Sequence, residues 1–336
     1  MNLTEIRKTA KERLQPHCRV CPVCDGKVCA GEMPGMGGTG SGSSFAANIA
    51  ALGKIKLNLR TIHRAENPDI SISLFGRKLE MPMMAAPIAG VRFNMGDYLT
   101  ELEYTRTVLE GSRLAGTMGW TGDGPHPEIF AAAQEAIGQF GGVAIVKPRQ
   151  DEAILERLKA LEKVGPAAVG VDVDGAGAIT MALQGQPVGP KSPESLRKII
   201  KASPWPFILK GIMTPDEAEL AVEAGAAAIV VSNHGGRVLD HTPGTAEVLP
   251  GIAERVKGKI AIIADGGIRS GVDVLKFLAL GADAVLVGRP LVTGAYGGGT
   301  EGVAFLLRKM ADELRQAMIL TGCASLKEIG PRVLAV

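Results

Sequence analysis

From residue 81 onward the chain repeats one unit, a short apolar run followed by a segment long enough for a helix. The apolar runs are Met81–Ala86, Ala115–Met118, Gly142–Val146, Ala167–Val173, Phe207–Gly211, Ala227–Val231, Ile260–Ala264 and Ala284–Val287. Between them lie Leu99–Leu114, Pro127–Ile137, Glu152–Val164, Pro193–Ala202, Pro215–Ala224, Thr245–Val256 and Val272–Leu280, with a last helix from Glu301 to about Leu320. The runs lack the polar alternation of a half-exposed sheet, which is how parallel strands covered on both faces read. Several helical segments have Pro near the first turn and Gly just past the end, the asymmetry of helix boundaries. Eight strand–helix units of this size predict an α/β chain folded as a (β/α)8 TIM barrel. A doubly wound sheet is the competitor, but no Gly-x-Gly-x-x-Gly turn follows the first strand.

In such a barrel the chemistry sits where the strands end. Those ends read Pro87, Thr117, Lys147, Asp172, Lys210, His234, Asp265 and Gly288-Arg289, a polar set for positions that close buried strands. His234 stands three residues before Arg237, with Gly235 and Gly236 between them. A titratable base beside a permanent cation suits removal of a proton from an anionic substrate, although a merely polar loop would contain the same residues. The last two ends continue as Asp265-Gly-Gly-Ile-Arg269 and Gly288-Arg289-Pro290. Glycine-bearing loops there commonly bind phosphate through backbone N–H groups and a helix N-terminus. Lys210 closes an apolar strand, where its charge needs a partner: an anion in the mouth or a carboxylate such as Asp172.

The first 53 residues have a different character. Residues 2–14 predict an amphipathic helix, and Pro34–Ser44 is a Gly/Ser-rich linker or backbone-lined loop. Between them four of the five cysteines fall at Cys18, Cys21, Cys24 and Cys29, beside His17. With no apolar leader at the N-terminus, metal or redox chemistry is favoured over disulfides, and four soft thiolates suit Zn²⁺ or an iron–sulfur cluster. Reduced thiols in an N-terminal lid are the alternative. The expected division is residues 1–53 as an N-terminal extension and 54–336 as the barrel. A net charge of +2 offers no electrostatic case for nucleic acid or a membrane surface, and no run is long enough to span a bilayer. A cytoplasmic protein is the expectation.

Ser232-Asn-His-Gly-Gly-Arg-x-Leu-Asp240, with Leu209-Lys-Gly211 before it and the Asp265 and Gly288 motifs after it, resembles the FMN-dependent α-hydroxy-acid oxidase and dehydrogenase family. The resemblance is strong from about residue 203 to the C-terminus and looser over 54–202. It implies FMN as cofactor and oxidation of a small 2-hydroxy acid to the 2-oxo acid by a homotetramer or larger ring. It assigns His234 as base, Asp172 as the group that orients it, and Arg237 as the holder of the substrate carboxylate. It places Ala86, Ala89 and Ser232 against the flavin ring, Lys210 at the ring edge, Asp265 at the ribityl chain, and Gly267, Arg269, Gly288 and Arg289 at the phosphate.

The substrate side departs from the family. Ala144 stands where the family has a tyrosine, a tyrosine pair of the N-terminal segment falls near Val28-Cys29, and a second arginine has no counterpart in Gly175–Thr180. Lost hydroxyl donors and a lost cation put ordinary lactate or glycolate oxidation in doubt. A flavin-dependent isomerase or reductase on the same barrel, or a flavin- or metal-binding sensor, stays open alongside oxidation, and the electron acceptor is not specified.

Overall fold

The structure, a computed structural model, describes residues 1–335. Eight parallel strands close a barrel in chain order: Met83–Ile88, Gly119–Thr121, Val143–Val146, Ala168–Asp172, Phe207–Ile212, Ala228–Val231, Ala261–Ala264 and Ala284–Val287. The eighth pairs with the first, Leu286 opposite Met84. The expected (β/α)8 barrel is the fold observed.

Period-two alternation divides each strand between two cores. Met84, Trp120, Ile145, Ile208, Val230, Ile263 and Leu286 pack with one another in the barrel interior. Their neighbours Ala85, Val146, Leu209, Val231, Ala264 and Val287 pack outward against the helices. Two residues further along, the interior set becomes Ala86, Lys147, Lys210, Ser232, Asp265 and Gly288. The alternation that fills the core with apolar side chains therefore delivers the polar ones to the mouth.

One strand differs from the expected position. Ala115–Met118 is a turn: the helix Glu101–Leu114 ends there, Ala115 N–H bonds Gly111 O at 3.1 Å, and Gly116 sits at φ 79°. The strand is Gly119–Thr121, so Thr117 is not at the rim. Its hydroxyl instead donates to Met83 O (2.8 Å) at the opposite end of the first strand, and Gly122-Asp123 takes the rim position.

The hairpin Ile72–Leu74/Arg77–Leu79 places Leu74 and Leu79 in the interior cluster, closing the end away from the mouth. Lys56–Leu57 pairs antiparallel with Leu334–Ala335. The first helix, Leu3–Leu14, is capped by Asn2 and buries Ile6, Ala10 and Leu14. It lies against Arg289–Thr321, two helices joined by a kink at Gly299 (φ 59°), the second of which matches the expected last helix from Glu301. Contact there is close enough that a Cβ on Gly297 would stand 2.1 Å from Ile6 O. A second helix, Ser43–Lys54, docks at the mouth, where Asn48 Nδ2 donates to Asn233 Oδ1 at 2.8 Å. Among the described residues no helix is long and apolar enough to cross a membrane.

Candidate active site

Three consecutive residues after the sixth strand, His234, Gly235 and Gly236, have φ of 57°, 64° and 78°. Glycine takes such values freely, and histidine more readily than most side chains. Ser232 Oγ fixes the turn, accepting from His234 N–H at 3.0 Å and from Lys210 Nζ at 3.2 Å. The imidazole of His234 then borders the mouth with Nδ1 3.0 Å from Asp174 Oδ1. Asp172, expected to orient it, has its Oδ2 3.9 Å from Nε2 and accepts from Lys147 Nζ at 2.7 Å.

The orienting contact has thus passed from Asp172 to Asp174 for a local reason. Asp172 ends the fourth strand with its side chain toward Lys147 of the third. A 3₁₀ turn, Val173–Gly177, carries Asp174 back over the fifth strand. Gly211 there leaves the room, since a Cβ on it would stand 2.4 Å from Asp174 Cγ. Burial works against the Asp174 anion, but Lys210, His234 and Lys147 outweigh it and hold the carboxyl at about 2. An anion at Nδ1 takes the N–H of that nitrogen and leaves the Nε2 lone pair free.

Lys210 is buried, and burial opposes its charge. Asp174, Asp265 and Asp172 more than compensate and raise its pKa above that of an ordinary amine. Asp265 goes the other way: burial raises its carboxyl despite Lys210, and its Oδ1 has no hydrogen-bond partner. Asp172, Asp174 and His234 bring ligand atoms within 4.8 Å of one another. With Lys147 bonded to one carboxylate and Lys210 favouring the other, their charge is already balanced, and the group reads as an oriented base rather than a cation site.

Around the corner of the mouth lie Arg237, Arg269 and Arg289, none of which forms a salt bridge among the described residues. Arg289 donates to carbonyls of Met36, Gly235 and Gly37 at 2.8, 3.2 and 3.2 Å and stacks over Phe45. Burial, then Arg237 and Arg269, bring its guanidinium down to about 9. Arg269 Nε is buried without a partner. Three crowded cations with no carboxylate, at the start of the helix Arg289–Thr321, make a place for a multiply charged anion.

The cavity encloses about 300 Å³. Ala86, Ala89, Lys210, Asp265, Gly267, Arg269, Gly288 and Arg289 all border it. Ser232 lies beneath, fully buried against Lys210. An unpartnered Asp265 oxygen, a buried charged lysine and the arginine corner line this one cavity, which fits a cofactor with a polar ring edge, a hydroxylated chain and a phosphate.

Apolar side chains also line the cavity: Met33, Met36, Phe93, Pro125 and Leu183. Met33 and Met36 belong to the N-terminal Gly-rich segment, which reaches over the mouth. Arg237 Nη1 donates to Gly35 O and Gly37 O at 2.6 and 3.0 Å, and Nη2 to Asn94 Oδ1 at 2.7 Å. Burial lowers its pKa to about 10. Ala144 packs in the outer cluster and does not border the cavity, whereas Lys147 does. Asp123 was not singled out from the sequence. Its buried carboxylate binds Lys147 N–H (3.1 Å) and pairs with Arg149 and Arg157, both at 3.4 Å, fixing the loop that presents Lys147.

The four N-terminal cysteines are free and partly buried. Arg269 Nη2 donates to Cys24 O and Sγ at 3.1 and 3.3 Å, so the cysteine segment abuts the arginine corner.

Fold and site together define a barrel enzyme with an oriented base beside an anion-binding corner at its mouth. Residues 35–184 and 179–336 match the FMN-dependent dehydrogenase family. The chain is 33% identical over 328 residues to a 2-hydroxyacid oxidase of Dictyostelium discoideum, covering 87% of this chain and 82% of that protein. It is 33% identical to a 4-hydroxymandelate oxidase of Amycolatopsis orientalis, covering 86% and 89%. A crystal structure of mandelate oxidase superposes with TM-score 0.78 at 30% identity, covering 99% of this chain and 97% of that one. The chain belongs to the FMN-dependent dehydrogenase family.

Proposed function

We propose that this chain oxidises a 2-hydroxy acid with an apolar side chain to the 2-oxo acid. The observation that carries the reading is one cavity lined by His234, oriented by Asp174, together with Arg237, the buried Lys210 and apolar side chains. FMN supplies the two-electron oxidation when bound. Arg289, Arg269, Gly288 and Gly267 would hold its phosphate, Asp265 its ribityl hydroxyls, Lys210 and Ser232 the polar ring edge, and Ala86 and Ala89 the ring face.

His234 Nε2 takes the substrate proton, and the Asp174 carboxylate stabilises the imidazolium through Nδ1. Lys210, kept charged by three carboxylates, favours negative charge at the ring edge. Arg237 has five N–H donors, of which three are used by Gly35, Gly37 and Asn94, leaving two for a carboxylate. Asn94 Oδ1 and the carbonyls of Gly35 and Gly37 fix the position of that guanidinium. Met33, Met36 and Phe93 exclude water and favour a bulky apolar substituent. Assembly into a homotetramer or larger is carried over from the resemblance. The four N-terminal thiols are kept as a soft-metal site, for zinc or an iron–sulfur cluster.

The test is 2-oxo acid formation from a panel graded by side-chain size, with an artificial electron acceptor. Turnover should rise from glycolate and lactate to aryl- and branched-chain 2-hydroxy acids. Absence of any 2-oxo acid, with FMN bound, would overturn the reading.

A further inference from the structure

The oxidation chemistry leaves the four N-terminal cysteines unused, and the segment carrying them is built in an unusual way. Between the helices Leu3–Leu14 and Ser43–Lys54 the chain has no regular element, yet it is pinned at several points. Arg7 Nη2 donates to Val20 O and Cys21 O at 3.2 and 2.6 Å. Arg19 and Glu32 pair through two bonds of 2.7 and 2.8 Å. Arg269 holds Cys24 from the barrel side at 3.1 Å.

What the segment packs around is the informative point. Val23 and Val28 are 69% and 60% exposed, while all four cysteines are turned partly inward. With these valines in solvent the segment has no hydrophobic core of its own, and a metal centre bound by the four partly buried thiols would supply one. The backbone agrees. Val20 has φ 46°, which a β-branched residue adopts only under constraint, and its N–H donates to Cys18 Sγ at 3.4 Å. Cys24 Sγ likewise receives a donor, from Arg269 at 3.3 Å.

The sulfur spacing separates the two candidate occupants. One tetrahedral zinc at its usual bond length draws its thiolates to within about 4 Å of one another. Among the described residues, no three cysteine sulfurs lie within 4.8 Å of one another. They are nevertheless one group, since Cys21, Cys24 and Cys29 all act electrostatically on Cys18. Cys-x-x-Cys-x-x-Cys is a spacing used for iron–sulfur clusters, which spread their thiolates over separate iron atoms. We propose that Cys18, Cys21, Cys24 and Cys29 ligate a four-iron iron–sulfur cluster held against the arginine corner of the barrel mouth. The site stands independently of which substrate the barrel oxidises.

The full chain, produced with iron and sulfide available and purified without air, should contain about four iron and four acid-labile sulfide per chain, with zinc far below one. Dithionite should produce the electron paramagnetic resonance signal of a reduced cluster. Cys21→Ser, whose side chain touches no arginine of the corner, should lose at least half the iron and keep its FMN. Stoichiometric zinc in the wild type would overturn the proposal. So would failure of the metal-free protein to take up iron and sulfide on reconstitution, or unchanged iron in a folded, FMN-loaded Cys21→Ser.

Discussion

Replacing Asp174 with Asn tests whether this carboxylate, rather than Asp172, sets up the base. Asp174 Oδ1 lies 3.0 Å from His234 Nδ1, whereas Asp172 Oδ2 lies 3.9 Å from Nε2 and is bonded to Lys147 at 2.7 Å. A hydrogen bond to a charged group is worth about 1.5–3 kcal/mol, which corresponds to roughly 10- to 150-fold in rate. The amide of Asn can also donate to Nδ1, which would move the imidazole proton to Nε2 and block its lone pair. Asp174→Asn should therefore lower kcat by at least tenfold with KM and FMN content little changed. Asp172→Asn removes no hydrogen bond from His234 and should cost kcat less, its main effect being on stability through the unpaired Lys147. Steady-state kinetics at saturating substrate, with FMN quantified in each variant, decides the matter. A larger kcat loss for Asp172→Asn than for Asp174→Asn would refute the reasoning.

Gly211→Ala should reproduce much of the Asp174→Asn defect without touching substrate. Its Cβ would stand 2.4 Å from Asp174 Cγ at a φ of 105°, and a kcat unchanged within twofold would contradict this. Asp174 also sets a pH dependence. Its pKa of about 2 lies below the ordinary aspartate value of 3.8, so its stabilising contribution is complete above about pH 4 and is lost as pH falls toward 2. Denaturant titrations from pH 5 to pH 2 should show the wild type losing roughly 2 kcal/mol more than Asp174→Asn. Lys210→Met leaves Asp174 and Asp265 without their buried cation and should cost about 3–5 kcal/mol, read as a lowered Tm. Inorganic phosphate at ten times its Kd should stabilise the FMN-free protein by about 1.4 kcal/mol, and Arg289→Met should abolish the effect.

The barrel was legible because buried parallel strands are continuous apolar runs, and seven of the eight lie where the runs are. The second was misplaced because Ala115-Gly-Thr-Met118 is apolar in composition, while the glycine that ends the preceding helix makes it a turn. The rim chemistry was legible for the same reason as the core: strand alternation sends Lys210, Ser232 and Asp265 inward beyond the last apolar layer. Asp174 was missed because it lies past the strand end, in a 3₁₀ turn whose course depends on the room at Gly211, 37 residues further along the sequence. Asp-Val-Asp, with its acids two apart, was the available signal. The loop carbonyls on Arg237 carried none, since every residue has a carbonyl and only the folded path of 35–37 brings these to the guanidinium.

The central claim is that one mouth joins an oriented His234 to a bound flavin and a 2-hydroxy acid. Its most direct test is the flavin absorbance of the holoprotein when an apolar 2-hydroxy acid is added without air. The wild type should bleach fully within the mixing experiment and release one 2-oxo acid per flavin, while His234→Asn, loaded with the same FMN, should not bleach. A wild-type flavin that no 2-hydroxy acid bleaches, or a His234→Asn variant that bleaches as fast as the wild type, would contradict the account.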